Sequence, residues 1–207
     1  METSTKSKLI EVATELFAIK GFAAVSVREL TEAAQVNVSA ISYYFNGKEG
    51  LYEAVLLEQL SPILQAIREV QKHNSSSPVE RLTLYAGQIA DVHAQRPFLH
   101  RFMFSEATNP TEYGGPIIEK HISQVYQFIF TALREGIAEG YFRKDLNVTY
   151  AAVSLVGILN FYFIAKQLVS KLFPLPEQGE SEAEYVAHAF RVYLHGVINS
   201  SPPLETI

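Results

Sequence analysis

The sequence predicts an all-α protein of about nine helices. Apolar residues recur every three or four positions through nearly the whole chain, which is the period of an amphipathic helix. Pairs of serine and glutamate three residues apart, typical of a first helical turn, occur at Ser26–Glu29, Ser77–Glu80 and Ser181–Glu184. No alternation of apolar and polar residues continues for more than a few residues, so strands are not expected.

Four helices are predicted in the first 73 residues, with approximate bounds 9–20, 27–35, 37–45 and 48–72. Gly21 ends the first, because glycine readily takes the left-handed conformation of a helix end. Asn37 can cap the third, and Asn46-Gly47 turns the chain into the long fourth helix.

Five more helices are predicted after the linker-like segment 74–78, with approximate bounds 78–95, 97–106, 117–139, 147–173 and 181–199. Prolines and glycines mark most of the breaks between them. Residues 1–73 hold three tyrosines and three phenylalanines, whereas 74–207 hold eight and ten. We therefore predict an N-terminal domain over 1–50, a C-terminal domain over 51–200 and a flexible tail over 201–207.

Composition limits the kinds of protein that the chain can be. It is 48% hydrophobic and lacks cysteine, which favours a packed core and excludes disulfides, zinc–cysteine sites and cysteine nucleophiles. A net charge of -5 excludes a protein that coats nucleic acid through overall basicity. The polar N-terminus does not read as a signal peptide, which predicts a cytoplasmic protein. The interrupted apolar run Tyr150–Ala165 is shorter than the roughly 20 residues of a membrane span, so a buried helix is expected.

The second and third helices, braced by the first, form a helix-turn-helix pattern. In that motif the first helix of the pair crosses the DNA backbone and the second lies in the major groove. Helical hairpins of this kind are common, so the pattern alone is weak evidence for DNA binding and the identities of the residues are needed. Ser26-Val27-Arg28-Glu29-Leu30 and Tyr43-Tyr44-Phe45-x-x-Lys48-Glu49-x-Leu51 closely resemble the N-terminal domain of TetR-family transcriptional regulators.

The resemblance implies a homodimeric DNA-binding regulator, a repressor rather than an activator, whose C-terminal helical bundle dimerises and binds a small effector. The alternative is an architectural or partner-regulated DNA-binding protein without a small-molecule ligand. The chain contains no Gly-rich phosphate loop, HExxH motif or nucleophile elbow, so neither an enzyme nor a cofactor is expected.

Eight residues of the front module are predicted to contact a double-stranded DNA operator. Arg28 is expected on a phosphate, with a surface ion pair to Glu32 as the alternative. By resemblance, Tyr43, Tyr44 and Lys48 reach the DNA backbone or bases. Small side chains at the start of the third helix can approach base edges. The full set is Arg28, Val38, Ser39, Ala40, Ser42, Tyr43, Tyr44 and Lys48.

The C-terminal domain is predicted to hold an effector pocket and a dimer interface. Aromatic residues on separate helices, with a few polar side chains, suggest a mostly apolar pocket lined by His93, Phe98, Phe102, His121, Tyr126, Phe130, Asn160 and Phe161. The alternative is an ordinary aromatic core. The helices over 150–170 and 182–198 are predicted to form a four-helix interface through Phe163, Val186, Phe190, Tyr193 and Val197. No metal site is expected, since the paired histidines lie seven residues apart.

The long fourth helix is expected to be loose at its start and bent in its middle. Its first turn has Gly47 and Gly50 where the family commonly has serine and glutamate, so replacing both with those residues should stabilise the start by on the order of 1 kcal/mol. Pro62 has no N–H to donate to the carbonyl of Glu58, which predicts a kink or a break.

Overall fold

The computed structural model describes residues 4–72, 76–173 and 180–199, and these fold into nine helices. They are α1 Thr5–Lys20, α2 Val27–Ala34, α3 Ser39–Phe45, α4 Lys48–Lys72, α5 Pro78–Gln95, α6 Leu99–Thr108, α7 Gly115–Ala138, α8 Val148–Leu172 and α9 Glu180–Val197. The predicted all-α class is confirmed. The predicted tail over 201–207 and the side chain of Ser181 lie outside the described residues.

Local hydrogen bonds explain where two of these helices begin. The Ser77 hydroxyl accepts from the Glu80 N–H at 3.2 Å, and the Glu80 carboxylate accepts from the Ser77 N–H at 2.7 Å. The Ser26 hydroxyl likewise accepts from the Glu29 N–H at 3.1 Å, but the Glu29 carboxylate pairs with Lys20 instead. The reciprocal capping that the sequence predicts is therefore complete at α5 and half complete at α2.

Two compact units divide the described residues, and neither is continuous in sequence. The first contains the residues up to Ser61 together with Arg96–Ile122, and the second contains Pro62–Gln95 and the residues from Ser123 onward. The boundary expected after residue 50 thus falls inside the first unit. Part of α4, all of α6 and the start of α7 belong with the front module.

In the first unit, α1 packs on α2 and α3 around the fully buried side chains of Leu9, Leu30 and Ile41. Rings from three segments add to this core. Tyr52 of α4 lies with its ring centroid 5.1 Å from that of Phe17 and 6.2 Å from that of Phe102 on α6. Phe22, after α1, contacts the rings of both Tyr52 and Tyr113.

A buried carboxylate joins α4, α6 and the following loop within the first unit. Glu106 of α6 is only 3% exposed, and its oxygens accept from the Tyr52 hydroxyl at 2.6 Å and the Thr111 N–H at 2.8 Å. The Thr111 hydroxyl also donates to it, at 3.0 Å. Burial and the adjacent carboxylate raise the pKa of Tyr52, so its hydroxyl stays protonated and keeps donating.

The junction between α3 and α4 requires glycine. A Cβ on Gly50 would lie 1.9 Å from the carbonyl oxygen of Phe45, the last residue of α3. Gly47 has φ +121°, which side-chain-bearing residues rarely adopt. The expectation that serine and glutamate at these positions would stabilise α4 is therefore wrong. The glycines let the start of α4 lie directly against the end of α3.

Pro62 lies inside an α4 that continues to Lys72, so the predicted alternative of a helix break is wrong. The carbonyl of Glu58, which proline leaves without its helical donor, has two replacements. It accepts from the Ser61 hydroxyl at 2.9 Å and from Arg96 Nε at 3.0 Å. These bonds offset the missing backbone bond and let the helix pass through the proline.

In the second unit, α9 packs against α5 and α8, and α5 also contacts α8. The core between them includes Leu82, Leu155 and Val186. The Phe142 ring, fully buried after α7, is 2.2 Å from where a Cβ on Gly136 would lie, so this contact also depends on glycine.

Among the described helices, α8 is long and apolar enough to span a membrane by length and composition alone. The core helix of a protein that never enters a membrane passes the same test, so this is weak evidence for a span. Ala152, Leu155 and Leu159 on α8 are fully buried within the chain, as the sequence predicts for a core helix.

Replacing Gly50 with alanine is expected to lower the free energy of unfolding by on the order of 1–3 kcal/mol, because the added methyl group overlaps the Phe45 carbonyl. Gly87→Ala is the matched control, since its Cβ meets nothing within 4 Å in the middle of α5. There alanine should raise stability by roughly 1 kcal/mol through helix propensity. Urea unfolding followed by circular dichroism measures both; a Gly50→Ala protein as stable as the wild type would contradict the close contact.

Tyr52→Phe should lower the free energy of unfolding by about 1.5–3 kcal/mol, because it removes a hydrogen bond to a buried charge while keeping the ring. Tyr43→Phe serves as the control, because the Tyr43 side chain is exposed and its hydroxyl should contribute little to stability. Equal stability of the two variants would show that the Glu106 carboxylate has other, sufficient donors.

Candidate nucleic-acid interface

The α3 helix presents most of the predicted DNA-contacting side chains at the surface. Val38, Ser39, Ser42, Tyr43 and Tyr44 are exposed, and Ala40 is half-buried. Tyr43 is 81% exposed, and its ring contacts only the neighbouring Tyr44 ring among the aromatic pairs of the described residues, with centroids 4.8 Å apart. On the opposite side of α3, Ile41 and Phe45 are buried in the unit. The helix is thus anchored by two side chains and leaves one face available for a groove of DNA.

The turn before α3 is held by local hydrogen bonds. Gln35 ends α2 in the left-handed conformation, with φ 54°, and the Val36 N–H donates to the carbonyl of Thr31 at 3.0 Å. The Asn37 side chain then accepts from the Ser39 N–H at 2.9 Å and from the Ser39 hydroxyl at 2.8 Å. Asn37 therefore satisfies a free N–H at the start of α3, as predicted.

Arg28 extends from the first turn of α2 and is 84% exposed. Its Nε donates to Glu32 at 2.6 Å, one helical turn further on. This is the ion-pair alternative that the sequence left open. An exposed i,i+4 pair contributes at most about 0.5 kcal/mol, so a phosphate can compete for the guanidinium. The phosphate contact stays a prediction.

Lys48, at the start of α4, has a structural role that the sequence did not indicate. Its ammonium group donates to the backbone carbonyls of Phe22 and Val25, at 3.0 and 2.8 Å, and lies 4.3 Å from the Phe22 ring centroid. Lys48 therefore ties α4 to the segment between α1 and α2. These bonds do not test the predicted phosphate contact of Lys48. Replacing Lys48 would disturb the packing of the front module as well as any contact with DNA.

The eight residues predicted for the effector pocket are divided between the two units. Phe98, Phe102 and His121 belong to the first unit, and the other five belong to the second, namely His93, Tyr126, Phe130, Asn160 and Phe161. Phe102 is buried, whereas Phe161 is exposed on the surface of α8. His121 donates to its own helix, at 2.7 Å from the carbonyl of Ile117.

Two of these residues form a hydrogen-bonded pair in the second unit, in which His93 is buried and Asn160 is half-buried. His93 Nε2 donates to the Asn160 carboxamide oxygen at 2.9 Å, and Asn160 donates to the Val156 carbonyl at 2.8 Å. The His93 ring stacks on Phe163 with centroids 3.8 Å apart. This arrangement fits the alternative of an aromatic core that contains hydrogen-bonded polar side chains.

Two cavities of the second unit are lined by residues outside the predicted set. One, of about 380 Å³, lies among α4, α5 and α7. Its lining residues are Leu64, Ile67, Arg68, Gln71, Arg81, Gln124, Gln127, Phe128 and Thr131. The other is a wider groove between α5 and α9, whose floor includes Ala86, Gly87 and Ala90. No periodic or motif signal in the sequence marks Arg68 and Arg81 as neighbours.

The five side chains predicted for the dimer interface are buried inside the chain itself. Phe163, Val186, Phe190, Tyr193 and Val197 are each at most 7% exposed. The apolar stripe of α9 packs against α5 and α8 of the same chain, so these side chains have little surface to offer a partner. This corrects the choice of residues, while the choice of helices stays a prediction.

A different apolar stripe of α8 is exposed. It runs along most of the helix at intervals of three and four residues, apart from a glycine at one step, and its members are Tyr150, Val153, Gly157, Phe161, Ile164, Leu168 and Leu172. Val192 of α9 is also exposed. The stripe was detectable as a second helical period in the sequence, but the period does not tell which of two apolar faces lies inside.

Comparison with known protein families covers both halves of the chain. Residues 9–55 match the family model described as bacterial regulatory proteins, tetR family. Residues 78–191, in which the sequence shows no familiar motif, match the tetracyclin repressor-like C-terminal domain. A probable HTH-type transcriptional regulator of Bacillus subtilis, YttP, is 30% identical over 176 residues, which cover 83% of each protein.

Solved structures share the whole fold. The ketosteroid transcriptional regulator KstR2 of Mycobacterium tuberculosis matches 96% of this chain and 97% of its own, with a TM-score of 0.70 and 21% identity. The fatty acid degradation regulator FadR of Bacillus halodurans matches 95% and 97%, with a TM-score of 0.72 and 19% identity. These structures show the shared fold, and the two matching family models together with the Bacillus subtilis relative establish that the chain belongs to the TetR family of transcriptional regulators.

Proposed function

We propose that this protein is a repressor that binds a near-palindromic operator as a homodimer and is released by a small, mostly apolar effector. The proposal rests on the exposed face of α3. Ile41 and Phe45 anchor this helix in the first unit, while Tyr43 and Tyr44 are exposed, as are most of the small residues before them. Among its relatives, KstR2 is named as a repressor. A protein that acts on DNA in this way works in the cytoplasm.

In the proposed complex, α3 lies in the major groove. Ser39, Ala40 and Ser42 carry hydroxyl or methyl groups that can approach base edges, and Val38 can contact a thymine methyl. Arg28, Tyr43 and Tyr44 fix the module on the phosphates and Lys48 supports it from the start of α4. Few cations are involved, which suits a chain with a net charge of -5.

Two protomers are needed to place two α3 helices on one operator, at roughly 34–36 Å or somewhat more. The exposed stripe of α8 supplies the contact that we propose. Phe161, Ile164 and Leu168 lie in consecutive turns, and a soluble monomer rarely exposes a contiguous apolar surface of this length. Paired with α9 and its exposed Val192, α8 would form a four-helix interface.

The effector is proposed to bind in the second unit, which contains most of the residues that match the C-terminal family model. KstR2 and FadR are named for ketosteroids and for fatty acid degradation, which favours an effector with a large apolar part. Effector binding at α4 would act on the same helix that begins against α3.

Arg28→Gln tests the phosphate contact without disturbing the fold, since the side chain is exposed. Affinity should fall by similar factors for operator and unrelated DNA, and the slope of log K against log salt should become shallower by about 0.9 per half-site. Arg28→Lys, which keeps the charge, should keep the slope. Glu32→Gln removes the competing carboxylate and should strengthen binding. Fluorescence anisotropy across a salt series measures all three; an unchanged slope in Arg28→Gln would place Arg28 off the DNA.

Leu168→Glu should convert the dimer to monomers while the helical content stays unchanged, because Leu168 is 61% exposed on the α8 stripe. Leu84→Glu, at an exposed leucine of α5 outside the stripe, is the matched control and should remain dimeric. Sedimentation velocity gives the mass of each. If Leu168→Glu still sediments as a dimer, the α8 stripe is not the interface. Phe190→Arg is expected to unfold the protein rather than separate the protomers, because Phe190 is buried.

A further inference from the structure

The cavity among α4, α5 and α7 carries positive charge in an otherwise acidic protein. Two of its lining residues are arginines, Arg68 of α4 and Arg81 of α5, and none is an acid. Three glutamines and a threonine supply further hydrogen-bonding groups, from Gln71, Gln124, Gln127 and Thr131. The lining therefore supplies Arg68 and Arg81 together with neutral polar groups, and Arg81 is already paired with the Glu135 carboxylate behind it. This set suits an oxyanion of low charge.

Arg81 has a donor that the described residues do not satisfy. Its Nη2 donates to the Glu135 carboxylate, whereas its Nε is buried and has no hydrogen-bond partner among them. The side chain is 21% exposed. An unpaired buried N–H costs about 1–3 kcal/mol. Because this Nε is shielded from solvent, a ligand in the cavity would contact the exposed part of the Arg81 guanidinium instead. Arg68, by contrast, is exposed and forms no ion pair with any described carboxylate.

The remaining wall of the cavity is apolar. Ile67 and Phe128 are buried and Leu64 is half-buried. The volume of about 380 Å³ lies near the lower end of the range for small-molecule sites, roughly 300–1,000 Å³. A compact ligand with an apolar stem can therefore occupy the wall beside the arginines.

We propose that this cavity binds an amphiphilic anion, with a carboxylate or phosphate group on Arg81 and Arg68 and an apolar stem against Phe128, Ile67 and Leu64. The binding of this anion does not depend on the function proposed above. Its role as the effector rests on that proposed function. The cavity is suited to that role because four of its lining residues belong to α4, the helix that begins at Lys48 beside the recognition helix.

Isothermal titration of the full-length protein, without DNA, tests the binding. The probes are octanoate, octyl phosphate, octanol and inorganic phosphate. At least one of the two amphiphilic anions should bind tenfold or more tightly than octanol, and tenfold or more tightly than inorganic phosphate. Whichever anion binds identifies carboxylate or phosphate as the preferred group. Equal binding of octanol would overturn the role of the arginines, and equal binding of inorganic phosphate would overturn the apolar stem.

Variants locate the site. Arg81→Gln and Arg68→Gln should each weaken binding of the preferred anion by about tenfold, and Arg68→Gln is safe for folding because the side chain is exposed. Arg134→Gln, at an exposed arginine of α7 outside the cavity lining, is the matched control and should bind as the wild type does. Unchanged affinity in Arg68→Gln and Arg81→Gln would overturn the site.

Fluorescence anisotropy with operator DNA then tests the effector role separately. The preferred anion should weaken DNA binding by the wild type. With Arg68→Gln, a tenfold higher concentration of the anion should be needed for the same effect. If the anion binds to this cavity but leaves DNA affinity unchanged, the binding inference stands and its role as the effector fails. If DNA binding itself is absent, the proposed function fails while the titration result is unaffected.

Discussion

The buried carboxylate of Glu106 determines which part of the chain belongs with the recognition helix. It accepts hydrogen bonds from Tyr52, 54 positions earlier in the sequence, and from Thr111, five positions later. A charge in such a site is stable only while its donors stay in place, because losing them leaves an ion in a nonpolar environment. Through this requirement α6 and the loop after it are part of the unit that carries α3. The DNA-binding unit is therefore assembled from two separate stretches of the chain.

Features that depend on neighbouring residues were predictable from the sequence, and features that depend on packing were not. The Ser77–Glu80 box and Asn37 act within three residues, so the printed sequence contains the whole interaction. Judged only from its neighbours in sequence, Gly50 indicates that the first turn of α4 has lost a capping glutamate. Its function depends on the Phe45 carbonyl, whose position relative to α4 is a property of the folded junction.

Helical periodicity predicted α8 and α9 but not which of their faces are buried within the chain itself. Both faces of α8 are apolar, and a period of 3.6 residues gives no information on which face meets the chain's own core. Phe190 was chosen for a partner and packs inside, while Phe161 was chosen for a pocket and lies outside. The arginines of the cavity were not predictable at all, since Arg68 and Arg81 are brought together by helix packing rather than by spacing.

If the protein dimerises through the exposed stripe of α8, as proposed, the amount of protein in the cell becomes part of the regulatory response. If two protomers must join through this surface before an operator is filled, DNA occupancy at low protein levels rises with the square of the protomer concentration. A twofold change in synthesis then alters operator occupancy about fourfold in that range, by mass action alone. In that case Phe161, Ile164 and Leu168, which are exposed on the stripe, would set the dimer dissociation constant and with it the protein concentration at which the regulated genes respond.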